Sequence, residues 1–162
     1  MATTTKGIRY PIATDPFAPH LDIQRAAEDV DVRLPAVLPE DAGFPVAVSV
    51  TTTEGVLSRI TVPAQAWAQR ISAVGSAWLR YTQTNDLDLI IYADAVSVGR
   101  SRANMTLDVG KSVSVVSTPI LAAAGTGIVI ELRVFRFGGT GTVTSSISSG
   151  LTTLQATTTV TV

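Results

Sequence analysis

Apolar positions in this chain follow two different periods, and the change falls near residue 35. Between Asp22 and Leu34 they recur as Ile23, Ala27, Val30 and Leu34, with Gln24, Arg25, Glu28, Asp29 and Asp31 on the other faces. Spacings of four, three and four residues make one narrow seam on a helix, of the kind that packs against copies of itself. Pro19 and Asp22 favour the helix start, by a preset φ and by an acceptor for the first free N–H groups. Pro35 ends it, because the residue before a proline avoids helical angles. A helix this short is marginal alone in water. Two dispositions bury its seam: a small parallel bundle clamped by a stable head, or a helix laid on its own domain.

From residue 45 onward the period falls to two. Alternation and β-branched content predict strands over 45–53, 56–62, 70–81, 87–97, 101–108, 112–119, 127–137, 141–148 and 152–162. Glu54-Gly55, Asn85-Asp86, Gly99, Gly110, Gly125–Gly127, Gly138-Gly139 and Gly150 punctuate them as turns. In Ile128–Val134 the residues Ile128, Ile130, Leu132 and Val134 point to the core, while Glu131 and Arg133 point away; Val46, Val48 and Val50 repeat the inward pattern. Short strands of this number, with no second helical pattern, predict an antiparallel β-sandwich, jelly-roll-like in plan. The last strand runs through Thr157, Thr158, Thr159 and Val160 without a charge. As an edge it would invite aggregation, so burial in a sheet or against a neighbour is expected.

The N-terminal flank reads differently again. Pro11, Pro16 and Pro19, with Gly7, predict an extended arm whose Tyr10, Ile12 and Phe17 need a surface to cover them. That surface is either another protein or the chain's own domain. Pro35, Pro39 and Gly43 make 35–43 a linker. The organisation expected is therefore 1–40 as attachment arm and short helix, and 41–162 as a β-sandwich head.

Composition narrows the partners. The chain has 162 residues and 16.9 kDa, room for one sandwich and an extension rather than two full domains. Charged residues are 15%, well under the usual quarter, so the surface is largely neutral Thr and Ser or is covered in an assembly. A formal net charge of −1 provides no field for nucleic acid or anionic lipid. There is no cysteine, hence neither a disulfide framework nor a thiolate metal site. Met1–Lys6 lack the apolar stretch of a secretory signal, which predicts synthesis in a cytosol. Ile120–Ala124, among the longest apolar runs, is far too short to cross a bilayer.

Candidate chemistry is sparse. The single histidine, His20, lies in the arm, away from any nucleophile of the head, so no Ser-His-Asp site is expected. Asp86, Asp88 and Asp94 are oxygen donors, but Asp88 and Asp94 alternate along a predicted strand and read as its solvent face. The glutamates Glu28, Glu40, Glu54 and Glu131 nominate no glycosidase pair. Gly138-Gly139-Thr140-Gly141 lacks the lysine of a phosphate loop and reads as a hairpin turn. No catalytic residue, metal or cofactor is implied. Trp67, Trp78, Tyr81 and Tyr92 are the rings available for a sugar platform, against a core or interface role. Arg100 and Arg102 are the cations of the head best placed to meet a cell-surface anion, against a role in keeping an edge strand soluble.

The stretch Lys6-Gly7-Ile8-Arg9-Tyr10-Pro11, then Thr14-Asp15-Pro16 and Asp22-Ile23-Gln24-Arg25-Ala26-Ala27-Glu28-Asp29-Val30-Asp31, resembles the N-terminal segment of minor tail and fibre proteins of tailed bacteriophages, particularly those of actinobacterial hosts. Ile60-Thr61-Val62-Pro63-Ala64-Gln65 with Arg70, and Leu87 to Arg102, are similar to the β-sandwich heads that often follow. The resemblance implies a virion protein made in the bacterial cytoplasm: a homotrimer joined through Ile23, Ala27, Val30 and Leu34, docked on tail or capsid proteins through Tyr10, Ile12 and Phe17. It transfers no receptor-binding residues, because the heads vary. Trp67, Trp78, Tyr92, Arg100 and Arg102 are the receptor-contact candidates read from the sequence itself. Capsid decoration and a carbohydrate-binding module are the rival readings.

Overall fold

The computed structural model describes residues 2–3, 9–10, 36–38, 47–50, 54–137, 141–146 and 152–161. The predicted helix lies outside them, as do Ile12, Phe17, Ile23, Ala27, Val30 and Leu34. Among the described residues every ladder is antiparallel. Near the N-terminus β1 (Ala2–Thr3) and β2 (Arg9–Tyr10) pair with each other, so Tyr10 sits in a short ladder.

The head is a sandwich of two sheets. One holds β5 (Glu54–Val62), β11 (Ile128–Arg136), β7 (Asn85–Ala93) and β8 (Val96–Met105), in that order. The other is built around β6 (Gln69–Tyr81), a strand of 13 residues long enough to carry different partners along its length. β13 (Thr153–Val160) and β12 (Val143–Ser146) pair with β6, as do β10 (Ile120–Ala122) and β9 (Gly110–Val116). β3 (Ala36–Leu38) flanks β13 and β4 (Ala47–Val50) flanks β12. The antiparallel, jelly-roll-like sandwich expected from the alternation is the fold observed.

Inward faces follow the pleat. Leu87, Leu89, Ile91, Ile130, Leu132 and Val134 from the four-stranded sheet meet Ile71, Ala73, Ala77, Leu79, Val113, Val115 and Leu154 from the other, all buried. At about 25 cal/mol per Å² of apolar surface removed from water, this layer dominates the stability of a chain with no disulfide. Gly75 lets the sheets close: a Cβ there would lie 2.5 Å from Leu132 Cδ1. Gly99 does the same on one side, where a Cβ would lie 2.5 Å from the Val116 carbonyl oxygen. There Thr118 N donates to Val98 O at 2.7 Å, tying β8 to the segment after β9.

Several expectations are corrected. The strand read over 87–97 breaks at Asp94-Ala95, which have φ of 45° and 68° and form a two-residue hairpin between paired Ala93 and Val96. Positive φ at both central positions is what a type I′ turn requires, and no glycine marked it. Gly99 and Glu54-Gly55, read as turns, lie inside β8 and at the start of β5. The apolar run at 120–122 is a strand, β10, and the stretch read as a linker contributes β3. The uncharged last strand is no edge, because β3 covers one side and β6 the other.

Candidate functional site

The outer face of the four-stranded sheet collects most of the head's ionisable groups. Pairing places Arg59 beside Glu131 and Glu131 beside Tyr92; two residues along, Arg133 neighbours Ile90, and Ile90 neighbours Arg100. One step further Phe135, Asp88 and Arg102 form a row across three strands. Alternation sent these side chains outward, yet the row is not simply solvated. Glu131 retains only 10% side-chain exposure and Asp88 none. The expectation that Asp88 lies on a solvent face is therefore wrong: it points away from the core but is covered by the longer arginines of β8.

Two ion clusters result. In the first, Arg59 Nε donates to Glu131 Oε1 at 2.9 Å, while Arg133 donates through Nε to Oε2 at 2.8 Å and through Nη1 to Glu54 Oε1 at 3.0 Å. The Arg133 guanidinium also lies 4.6 Å from the centre of the Tyr92 ring. Burial pushes the Glu131 carboxyl up, but hydrogen bonds and charge from Arg133 and Arg59 outweigh it and leave its pKa below the ordinary 4.5. Burial likewise works to lower the Arg133 pKa, and its bonds to Glu131 and Glu54 raise it above the usual value instead.

In the second cluster the Asp88 carboxylate holds two arginines. Arg102 Nε donates to Oδ1 at 2.9 Å, and Arg100 Nε lies 3.1 Å from Oδ2. Arg102 also spreads over the Phe137 ring at 4.3 Å, and Phe137 meets Phe135 edge to face with centroids 5.1 Å apart. The hydrogen bond to Asp88 raises the Arg102 pKa. Asp86, the neighbouring acid on the same face, accepts from Asn104 Nδ2 at 2.9 Å.

The remaining candidates lie apart. Trp78 is on the outer face of the other sheet with its indole against Gly110, where a Cβ would collide with the ring. Trp67, in the loop between β5 and β6, lines a cavity of about 80 Å³ with Ala36, Leu38, Pro63, Gln69 and Thr158. Tyr81 is fully buried and is removed from the set of surface rings. Trp67, Trp78 and Tyr92 thus occupy three different places rather than one platform. Asp94 sits in the hairpin turn, where Oδ1 accepts from Val129 N at 2.9 Å. It is 35 residues from that partner in sequence, and alternation gives no sign of the contact. Among the described residues no group of three or more His, Cys, Asp or Glu side chains is placed to hold a metal ion.

No family model matches the chain, and no curated protein does. Among solved structures it is similar to the C-terminal domain of EclA, a sugar-binding protein, with 14% identity and a TM-score of 0.40 over 72% of this chain and 79% of that one. Murine APRIL aligns with 14% identity and a TM-score of 0.45 over 76% of this chain and 98% of that one. A chain of infectious bursal disease virus, Gt strain, aligns with 14% identity and a TM-score of 0.45 over 80% of this chain and 34% of that one. Likenesses this distant carry no argument about activity.

Proposed function

We propose that this chain is a structural protein of a tailed-phage virion, a trimeric tail fibre or minor tail protein whose arm anchors it and whose sandwich is displayed for attachment to the host surface. One observation carries the reading of the head. On the outer face of the four-stranded sheet Glu54, Asp88 and Glu131 are engaged by arginine and Asp86 by Asn104. Acids committed in this way are poor general acids or bases, since catalysis needs a proton free to move. What they do instead is fix arginines and aromatic rings on the outer face of the sheet, which suits recognition. The resemblance of residues 6–31 to fibre N-termini supplies the particle, and repeated heads turn weak contacts into avidity where their spacing matches the target.

A second reading, capsid decoration, draws on the other sheet. Its outer face exposes Val74, Val116 and Leu121 among Ser and Thr residues, with Arg70 and Arg80 beside them, an apolar-rich surface suited to contact with coat proteins. Light scattering on the purified full-length chain tests the trimer: a mass near three times 16.9 kDa supports it, and a monomer at micromolar concentration overturns it. Antibody against the head then separates the two readings. Labelling at the tail with blocked adsorption supports attachment; labelling over the capsid with normal adsorption supports decoration.

A further inference from the structure

Arg100 and Arg102 follow each other on one face of β8, and a single fully buried carboxylate, Asp88, anchors both. Each arginine turns its Nε edge inward, at 3.1 Å and 2.9 Å from the Asp88 oxygens. Arg102 adds a longer contact from Nη2 to Oδ2 at 3.4 Å. A guanidinium is planar, so fixing the Nε edge sends the opposite edge outward: both terminal nitrogens of Arg100, and Nη1 of Arg102. Among the described residues these nitrogens meet no other partner, and the two side chains are 55% and 53% exposed. Two guanidinium charges over one carboxylate leave one positive charge at the surface, which the neighbouring Asp86 offsets in part.

We propose that Arg100 and Arg102, held over Asp88, form a binding site for the carboxylate of an acidic saccharide, a uronic acid residue in a surface polymer. The proposal rests on the host-attachment reading for its biological setting. Its chemistry rests on the geometry alone. Asp88 already shows that a carboxylate spans both guanidinia from the inner side, and a ligand carboxylate would repeat that contact from the outer side. Arginine donors fit carboxylate oxygens in pairs, and side chains already immobilised by Asp88 lose less freedom on binding. Beside the charge stand Phe137, under Arg102, and its edge-to-face neighbour Phe135. These half-buried rings add apolar surface beside the charge for the C–H groups of a pyranose. Asp86 opposes the site electrostatically and keeps a single contact weak, so useful binding needs several heads.

The test is binding of the intact full-length chain to immobilised trigalacturonate, with a neutral galactose trisaccharide and an oligoglutamate peptide as comparisons. The expected result is binding to the uronate alone, weakened about tenfold by Arg100→Gln, as for loss of one charge-assisted contact, and strengthened by Asp86→Asn. Asp86→Asn leaves the Asp88 anchor untouched and guards against a folding artefact in Arg100→Gln; thermal midpoints of both variants are recorded. Absence of uronate binding, equal binding of oligoglutamate, or an unchanged affinity in well-folded Arg100→Gln would overturn the site. Adsorption of whole particles reads the attachment function separately, so loss of one does not masquerade as loss of the other.

Discussion

Gly75 on β6 and Leu132 on β11 face each other across the sandwich so closely that a Cβ at position 75 would lie 2.5 Å from Leu132 Cδ1. Leu132 is fully buried and cannot swing into solvent. Gly75→Ala is therefore expected to destabilise the head by about 1–3 kcal/mol, the usual cost of overpacking. Leu132→Val in the same chain should recover part of the loss, because it removes the offending methyl. Denaturant titration of the single and double variants checks both; a neutral Gly75→Ala would mean that the sheets sit further apart.

The hairpin at Asp94-Ala95 makes a prediction of opposite sign. Ala95 has a φ of 68°, a region that a Cβ disfavours and glycine does not. Ala95→Gly should stabilise the protein by about 0.5–1 kcal/mol. Asp94→Ala should destabilise it, since its Oδ1 accepts from Val129 N at 2.9 Å and ties the turn to β11. Thermal melts of the two variants should move in opposite directions.

The Glu131 cluster predicts a pH dependence. Its folded pKa lies below the ordinary 4.5, so the unfolded chain binds the proton more readily than the native one. The stabilisation is fully present above that ordinary value and is lost as pH falls below it through the lower folded value. Denaturation midpoints measured from pH 7 to pH 3 should drop in this window, and Glu131→Gln should flatten that part of the fall. An identical profile for both proteins would remove Glu131 as a cause.

Asp88 and its two arginines predict an asymmetry. Asp88→Asn leaves two guanidinia that already reach water, whereas the double change Arg100→Gln and Arg102→Gln strips the Asp88 carboxylate of both its cations and of the longer side chains that cover it. Burying an unpaired charge is the costlier outcome. The double arginine variant should therefore melt below Asp88→Asn.

Legibility in the sequence followed the physics of each feature. Ile128, Ile130, Leu132 and Val134 are all buried as their alternation predicts, because a core-facing strand must place apolar groups at every second position. The break at Asp94-Ala95 was missed since neither residue is a glycine, and a single sequence does not reveal which alanine bears a positive φ. Tyr81, which the sequence left open between a sugar platform and a core or interface role, is buried, because its position in the pleat of β6 outranks its hydroxyl.

By itself the sequence determined the class of the fold: period-two alternation across the C-terminal part of the chain admits only sheets with one wet face each, and the lack of cysteine leaves apolar packing to hold them. It also determined the formal net charge of −1, on which the expectation of neither a nucleic acid nor an anionic membrane partner rests. Only the tertiary structure decided which outward residues meet. Asp88, Arg100 and Arg102 are brought together by the β7–β8 register, and Arg59 with Glu131 and Glu54 with Arg133 by the β5–β11 ladder, across 72 and 79 residues of chain. Such pairings depend on strand order, and alternation is the same for every order in which these strands can be laid side by side.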